Sequence, residues 1–272
     1  MAGKSPTSIA VVNQKGGVGK TTTAVNLAIG LMRQARKSVL FVDMDQQCNG
    51  TAVFLGDDFG MEELGDGDFC IYDVLINPEI GVDDAIYSVE FEGENGGMID
   101  IVPANIILGS AEVEMVNVDR REYRLADAFE TFLDENPDRY DYIIIDCPPS
   151  LGLFTLNTLI FASHVLIPVN SSKNPVYGLR LLQNTILRAN RIRRGRQPVE
   201  IMGVLPCMWD RTAISRDIYQ GLKQTGYPVF DPVPALVAVR EAETANMDLF
   251  DYAPNSRATG AYARLIQEVV NG

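Results

Sequence analysis

Apolar residues along this chain fall into two kinds of pattern. Six short, largely apolar runs stand out: "SIAVVN" (8–13), "SVLFVDMD" (38–45), "MIDIVPA" (98–104), "YDYIIID" (140–146), "SHVLIPVN" (163–170) and "VEIMGVLPC" (199–207). Continuous, β-branched runs of this length predict strands buried on both faces, as in a parallel sheet. Between them, apolar positions recur every three or four residues. Val25, Leu27, Ala28, Leu31 and Met32 predict a helix over 21–36, and similar spacing predicts helices over 106–118, 121–136, 176–194, 213–225 and 236–247. A short helix is expected at 70–76, a loop over 56–68, and a closing helix in "GAYARLIQEVV". Strands alternating with helices predict an α/β fold: a doubly wound, mostly parallel sheet with helices on both faces. No internal repeat or low-complexity linker interrupts the pattern, so one domain over 1–272 is expected, with 1–7 flexible.

Composition narrows the class. Hydrophobic residues make up 46% of the chain, enough for a substantial core. No apolar run approaches the ~18 residues of a membrane span, and no signal-like apolar segment precedes the first strand. A cytoplasmic protein is the expectation. Cys48, Cys70, Cys147 and Cys207 are scattered and His164 is alone, so neither zinc nor disulfide chemistry is indicated. The net charge of −13 is unevenly spread: between Ser38 and Asp119 there are 19 acids and no Lys or Arg. A block of this kind is either a solvated face or a partner surface.

The chemistry is concentrated after the first strand, in "NQKGGVGKTTTAVN" (13–26). A glycine-rich loop between a buried strand and a helix directs backbone N–H groups and the positive helix end at one anion. Gly16, Gly17 and Gly19 let the backbone wrap a triphosphate. Lys20 would reach its β- and γ-phosphates and the Thr21 hydroxyl a Mg²⁺ ion. The usual G-x-x-x-x-G-K-[ST] pattern is broken at Gln14, and a second lysine, Lys15, follows it. The second strand ends on Asp43 and Asp45, which share a side by the period of two, and the strand "IIID" ends on Asp146, as a Walker B strand does.

These motifs together resemble the deviant Walker A ATPases of the ParA/MinD group. "NQKGGVGKTTTAVNLA" and "DCPPSLGLFTLNTL" are most similar to the small, Soj-like ParA partition ATPases. The resemblance runs from about residue 8 to the C-terminus. It implies an ATPase that uses ATP and Mg²⁺, with Gly16, Gly17, Val18, Gly19, Lys20, Thr21 and Thr22 around the phosphates. Lys15 matches a signature lysine that reaches the partner subunit's phosphates across an ATP-bridged homodimer. Asp45 matches the acid that positions the attacking water, and Thr21, Asp43 and Asp146 match the groups around magnesium. Met208 and Pro234 fall where adenine-flanking segments fall. The implied partners are a second copy of the chain, non-specific DNA, and a ParB-like or other activating protein, with the ATP state on the nucleoid.

Two departures bear on DNA. Ala235 and Ala238 stand where the resemblance implies DNA-facing arginines. Between Arg188 and Arg216, however, seven arginines meet only two acids, and phosphate neutralisation drives non-specific binding. Arg191, Arg193, Arg194, Arg211, Arg216 and Arg240 are therefore the candidate DNA contacts, with a solvated helix end as the alternative. A MinD-like membrane cycle would need a basic amphipathic C-terminal helix; "GAYARLIQEVVNG" has one arginine and no lysine, so no stable membrane association is expected.

Overall fold

The computed structural model describes residues 5–93, 95–171, 175–193, 195–210 and 212–272. The chain order is β1 (Thr7–Val11), α1 (Lys20–Ala35), β2 (Val39–Asp43), α2 (Asn49–Leu55), α3 (Asp57–Met61), α4 (Ile71–Ile76), β3 (Tyr87–Phe91), β4 (Gly97–Val102), α5 (Leu108–Glu114) and α6 (Arg124–Glu135). It continues with β5 (Tyr142–Asp146), α7 (Leu153–Phe161), β6 (His164–Val169), α8 (Pro175–Ile192), β7 (Glu200–Pro206), α9 (Ala213–Lys223), α10 (Val237–Thr244), α11 (Leu249–Tyr252) and α12 (Arg257–Asn271). One seven-stranded sheet has the order β3-β4-β2-β5-β1-β6-β7. All pairings are parallel except the antiparallel β3–β4 edge.

The period-two alternation of the strands splits the core in two. Ile9, Val11, Phe41 and Ile144 face α1, α11 and α12, while Ala10, Leu40, Val42, Ile143 and Ile145 face α4 to α8. The six apolar runs are the six strands of the parallel portion. Thr7 pairs with Tyr142 and belongs to β1, which places it in the sheet and not in a flexible segment; residues 1–4 lie outside the described residues. The segment 56–68, expected to be a loop, contains α3, and β3, α2, α7 and α11 complete the inventory.

Strand register brings the acidic strand ends together. Val11 of β1 and Asp43 of β2 both lie opposite Asp146 of β5. Three adjacent strands thus deliver their carboxyl ends to one edge, the general position of ligand sites in open parallel sheets. The helix α1 that leaves β1 is buried along most of its length and packs on α12. Gly30 is the closest point: a Cβ there would lie 2.0 Å from Ile266 Cδ1 and 3.0 Å from the Phe250 ring. Substituting Gly30→Ala is expected to cost about 1–3 kcal/mol by overpacking. Adding Ile266→Val, which removes the offending methyl, should recover part of that loss. Urea denaturation of the two single variants and the double variant measures the coupling.

Candidate nucleotide site

The loop between β1 and α1 is held open by its glycines. Gly17 and Gly19 adopt positive φ of 64° and 87°, a region that costs other residues strain. Asn13 ties the loop down: its Nδ2 donates to the Pro168 carbonyl at 2.7 Å and its Oδ1 accepts from the Lys15 N–H at 3.0 Å. Gly19 caps α1 without any side-chain partner, leaving the first N–H groups of the helix directed into the loop. Lys20 is only 6% exposed, and its Nζ reaches back over the loop to the Lys15 carbonyl at 3.4 Å.

Around this loop is a cleft of about 390 Å³. Gly16, Gly17, Gly19, Lys20, Thr21 and Thr22 line one end, with Asp45 beside them. Met208, Val239, Ala242, Met247 and Leu249 line the other, so the cleft runs from polar to apolar. One contact ties the apolar end to α1, and a second caps the short helix α11 that supplies part of it. Asn26 Oδ1 accepts the Leu249 N–H at 2.8 Å, and Asp248 caps α11 by accepting from Phe250 and Asp251.

The acids behave differently from one another. Asp43 is fully buried; its Oδ1 accepts the Asp45 N–H, and its Oδ2 accepts both the N–H and the hydroxyl of Thr51. Burial pushes its pKa up to about 6 against these hydrogen bonds. Asp146 is also fully buried, yet neither carboxylate oxygen meets hydrogen-bond geometry with a protein partner. Burial, then the charge of Asp43, holds its carboxyl well above the usual range, with the nearby Thr21 hydroxyl acting the other way. Asp45 is 6% exposed and lines the cleft; burial raises it, while the Gln47 N–H and the Lys20 charge draw it down.

An orphaned buried carboxylate beside a threonine hydroxyl suits a divalent cation. Among the described residues no three acids, cysteines or histidines converge as a ready-made metal cage. That fits magnesium, which keeps several waters and takes few protein ligands alongside substrate phosphates. Thr21 and Asp146 would hold it or its water shell, with Asp43 opposite Asp146 on the neighbouring strand.

Lys15 is exposed and is not among the lining residues; its ammonium donates to Asn170 Oδ1 at 3.4 Å. Val18 is buried beneath the loop. Met208 lines the cleft, whereas Pro234 does not. Pro234 bridges to Trp209, and Ala235 donates to the Trp209 carbonyl, so this segment braces the Met208 loop from behind. Sequence reasoning missed Val239, Glu243, Asn246 and Met247. They come from α10 and the turn after it, with no motif of their own.

The profile of the family described as "AAA domain" matches residues 6–196. The sporulation initiation inhibitor protein Soj of Bacillus subtilis (strain 168) is 38% identical over 264 residues, covering 96% of this chain and 97% of that protein. The chain belongs to the ParA family of AAA-domain ATPases. Chromosome partitioning protein ParA of Myxococcus xanthus is 37% identical over 268 residues, 96% of this chain and 87% of that one. Among solved structures, cobyrinic acid a,c-diamide synthase from Mycobacterium smegmatis with bound ATP analogue and magnesium superposes with a TM-score of 0.79. It is 28% identical, and the match covers 98% of this chain and 95% of that one.

The candidate DNA contacts of this ParA-family chain divide sharply. Arg191, Arg216 and Arg240 are exposed on α8, α9 and α10. Arg194 and Arg211 lie outside the described residues. Arg193 is a correction: it is 8% exposed and donates to the carbonyls of Leu159 at 2.7 Å and Ala162 at 2.5 Å, at the end of α7. Desolvation lowers its pKa to about 10, and a guanidinium spent inside the fold is withheld from solvent-side phosphates. Removing it orphans two buried carbonyls, so Arg193→Ala is expected to destabilise by roughly 2–3 kcal/mol. Arg191→Ala should stay within about 0.5 kcal/mol. Guanidinium unfolding curves of the two variants separate these cases.

Proposed function

We propose that this protein is an ATP-driven dimerisation switch that hydrolyses ATP to ADP and phosphate and, in its ATP state, holds DNA non-specifically during plasmid or chromosome segregation. The observation that carries the reading is the division of labour between two lysines five residues apart. Lys20 is buried at the polar end of the cleft, and Lys15 stands exposed outside it. A second lysine outside its own cleft suits a partner's nucleotide.

ATP lies with its phosphates on Gly16–Thr22 and its base toward Met208, Met247 and Val239. Magnesium held by Thr21 and Asp146 would supply positive charge against the phosphates. Lys20 adds a fixed positive charge at the β- and γ-phosphates, and backbone N–H groups complete the cradle. Asp45 orients the attacking water: its Oδ1 is held by the Gln47 N–H at 3.1 Å, and burial favours its taking a proton. Exposed apolar residues Ile106, Ile107, Val113 and Val116 extend the rim beyond the 148–153 loop, which α5 meets through Glu112 and the Leu153 N–H. A second copy of the chain covers this rim in the ATP state, and a ParB-like or other activating protein accelerates the slow hydrolysis.

Two copies of one basic patch bind DNA with avidity that a monomer lacks. The protein is cytoplasmic in this reading and associates with the nucleoid when ATP-bound. A second reading keeps the switch and replaces DNA with another cargo. It draws support from Ala235 and Ala238 and from the withdrawal of Arg193, which thin the basic surface.

With ATP and Mg²⁺, light scattering should show a dimer for the wild type, a monomer for Lys15→Ala, and a long-lived dimer for Asp45→Ala. Asp45→Ala should also lower kcat by about 100-fold or more. An undiminished ATP dimer in Lys15→Ala would refute the role given to that lysine. DNA binding by gel shift should require ATP and weaken steeply with salt, with a log–log slope of several units. Binding that is absent at low salt with ATP favours the second reading.

A further inference from the structure

Among the described residues, two carboxylates line the cleft: Asp45 at the phosphate end and Glu243 further along. Glu243 comes from α10, and its Oε1 accepts a hydrogen bond from the hydroxyl of Thr22, a residue 221 positions away. Beyond it the wall becomes apolar, with Val239, Ala242 and Met247, and Asn246 is the remaining polar side chain on that side. Glu243 therefore stands at the junction between the polar and apolar halves of the cleft.

An ionised carboxylate only accepts hydrogen bonds, and it is repelled by phosphates. Against a nucleotide it has two kinds of donor to choose from: the sugar hydroxyls and the amino group of the base. Thr22 lies two residues beyond Lys20, at the phosphate end, and the unit of a nucleotide bonded directly to its phosphates is the sugar. The amino group of adenine lies on the far side of the base from that bond. When a phosphate takes the Thr22 hydroxyl, the Glu243 carboxylate is left beside the sugar with its acceptor capacity open.

We propose that Glu243 reads the ribose of the bound nucleotide, accepting hydrogen bonds from its hydroxyls, so that the site selects ribonucleotides over deoxyribonucleotides. This role rests on the nucleotide-binding function proposed for the cleft and adds a specificity residue to it. It gives α10 a direct hold on the ligand, in addition to the apolar wall it supplies.

The test measures competition of ATP, 2′-deoxyATP, 3′-deoxyATP and ITP against a fluorescent ATP analogue, with Mg²⁺, on the full chain. The wild type should bind at least one deoxy analogue about tenfold more weakly than ATP, the scale of one hydrogen bond to a charged group. In Glu243→Ala this ratio should fall to about twofold or less by weaker ATP binding, with the affinity for that deoxy analogue little changed. Glu243→Gln keeps an acceptor oxygen without the charge and should give an intermediate ratio; it also serves if the alanine variant does not fold. Equal wild-type affinities for ATP and both deoxy analogues overturn the proposal, as does an unchanged ratio in Glu243→Ala. Equal weakening of ATP and the deoxy analogues assigns Glu243 to bracing Thr22 and also overturns it. A variant whose lost discrimination is between ATP and ITP moves the contact to the base and overturns the ribose assignment. A wild type that binds none of the four overturns the nucleotide reading itself.

Discussion

Three neighbouring parallel strands end in register, and the site depends on that alignment. Because Val11 and Asp43 both lie opposite Asp146, the phosphate loop leaving β1 starts beside two carboxylates that the sheet has stripped of water. Burying a charge without a partner is costly, and Asp43 and Asp146 meet that cost differently. Asp43 is satisfied by Thr51 and the Asp45 N–H, whereas Asp146 has no hydrogen-bond partner among the described residues. The protein thus keeps one carboxylate in an unfavourable state at the position where a cation and its waters would relieve it.

The remainder of the cleft is assembled from the far end of the chain. Thr23 meets Tyr262 of α12 at 3.2 Å, and Asn26 holds the start of α11. Through these contacts α1 serves two purposes: its first turn lines the polar end of the cleft, and Asn26 in its second turn anchors the apolar wall. The close approach at Gly30 belongs to the same arrangement, since a larger residue there would push α12 and Phe250 away from α1.

The parts of this design that are legible in the sequence are those written locally. Apolar runs identify every strand of the parallel portion, because burial on both faces leaves few polar positions, such as Asp100 in β4 and Glu200 in β7, to confuse the period. The edge strand β3 escapes such a reading: "YSVEF" alternates between half-buried and exposed positions, and five residues of alternation carry little signal. Helix α7 escapes it for the opposite reason, since "LFTLNTLIF" is buried almost all round and shows no amphipathic period. In the site, Lys20, Thr21, Asp45 and Asp146 are legible because each sits at or just beyond a strand end or in the first turn of the helix that the loop opens. Glu243 and its neighbours are not, because their place is set by helix packing across more than two hundred residues.

The arginines show what a charge count leaves out. Seven between positions 188 and 216 suggest one basic surface, yet position along a helix decides which of them meets solvent. Arg191 ends its helix facing outward, while Arg193, two residues on, turns inward to the carbonyls at the end of α7. Arg196 is engaged as well, through Glu130 at 3.0 Å and the Ala126 carbonyl. A guanidinium that satisfies buried carbonyls contributes to the fold and is lost to the electrostatic field outside. A DNA-facing surface, if the proposed switch has one, must therefore be sparser than the sequence implies, and it would lean on doubling the patch through dimerisation. In the proposed switch this would make the nucleotide more important: the fewer charges each subunit presents, the more completely DNA affinity would depend on holding two subunits together.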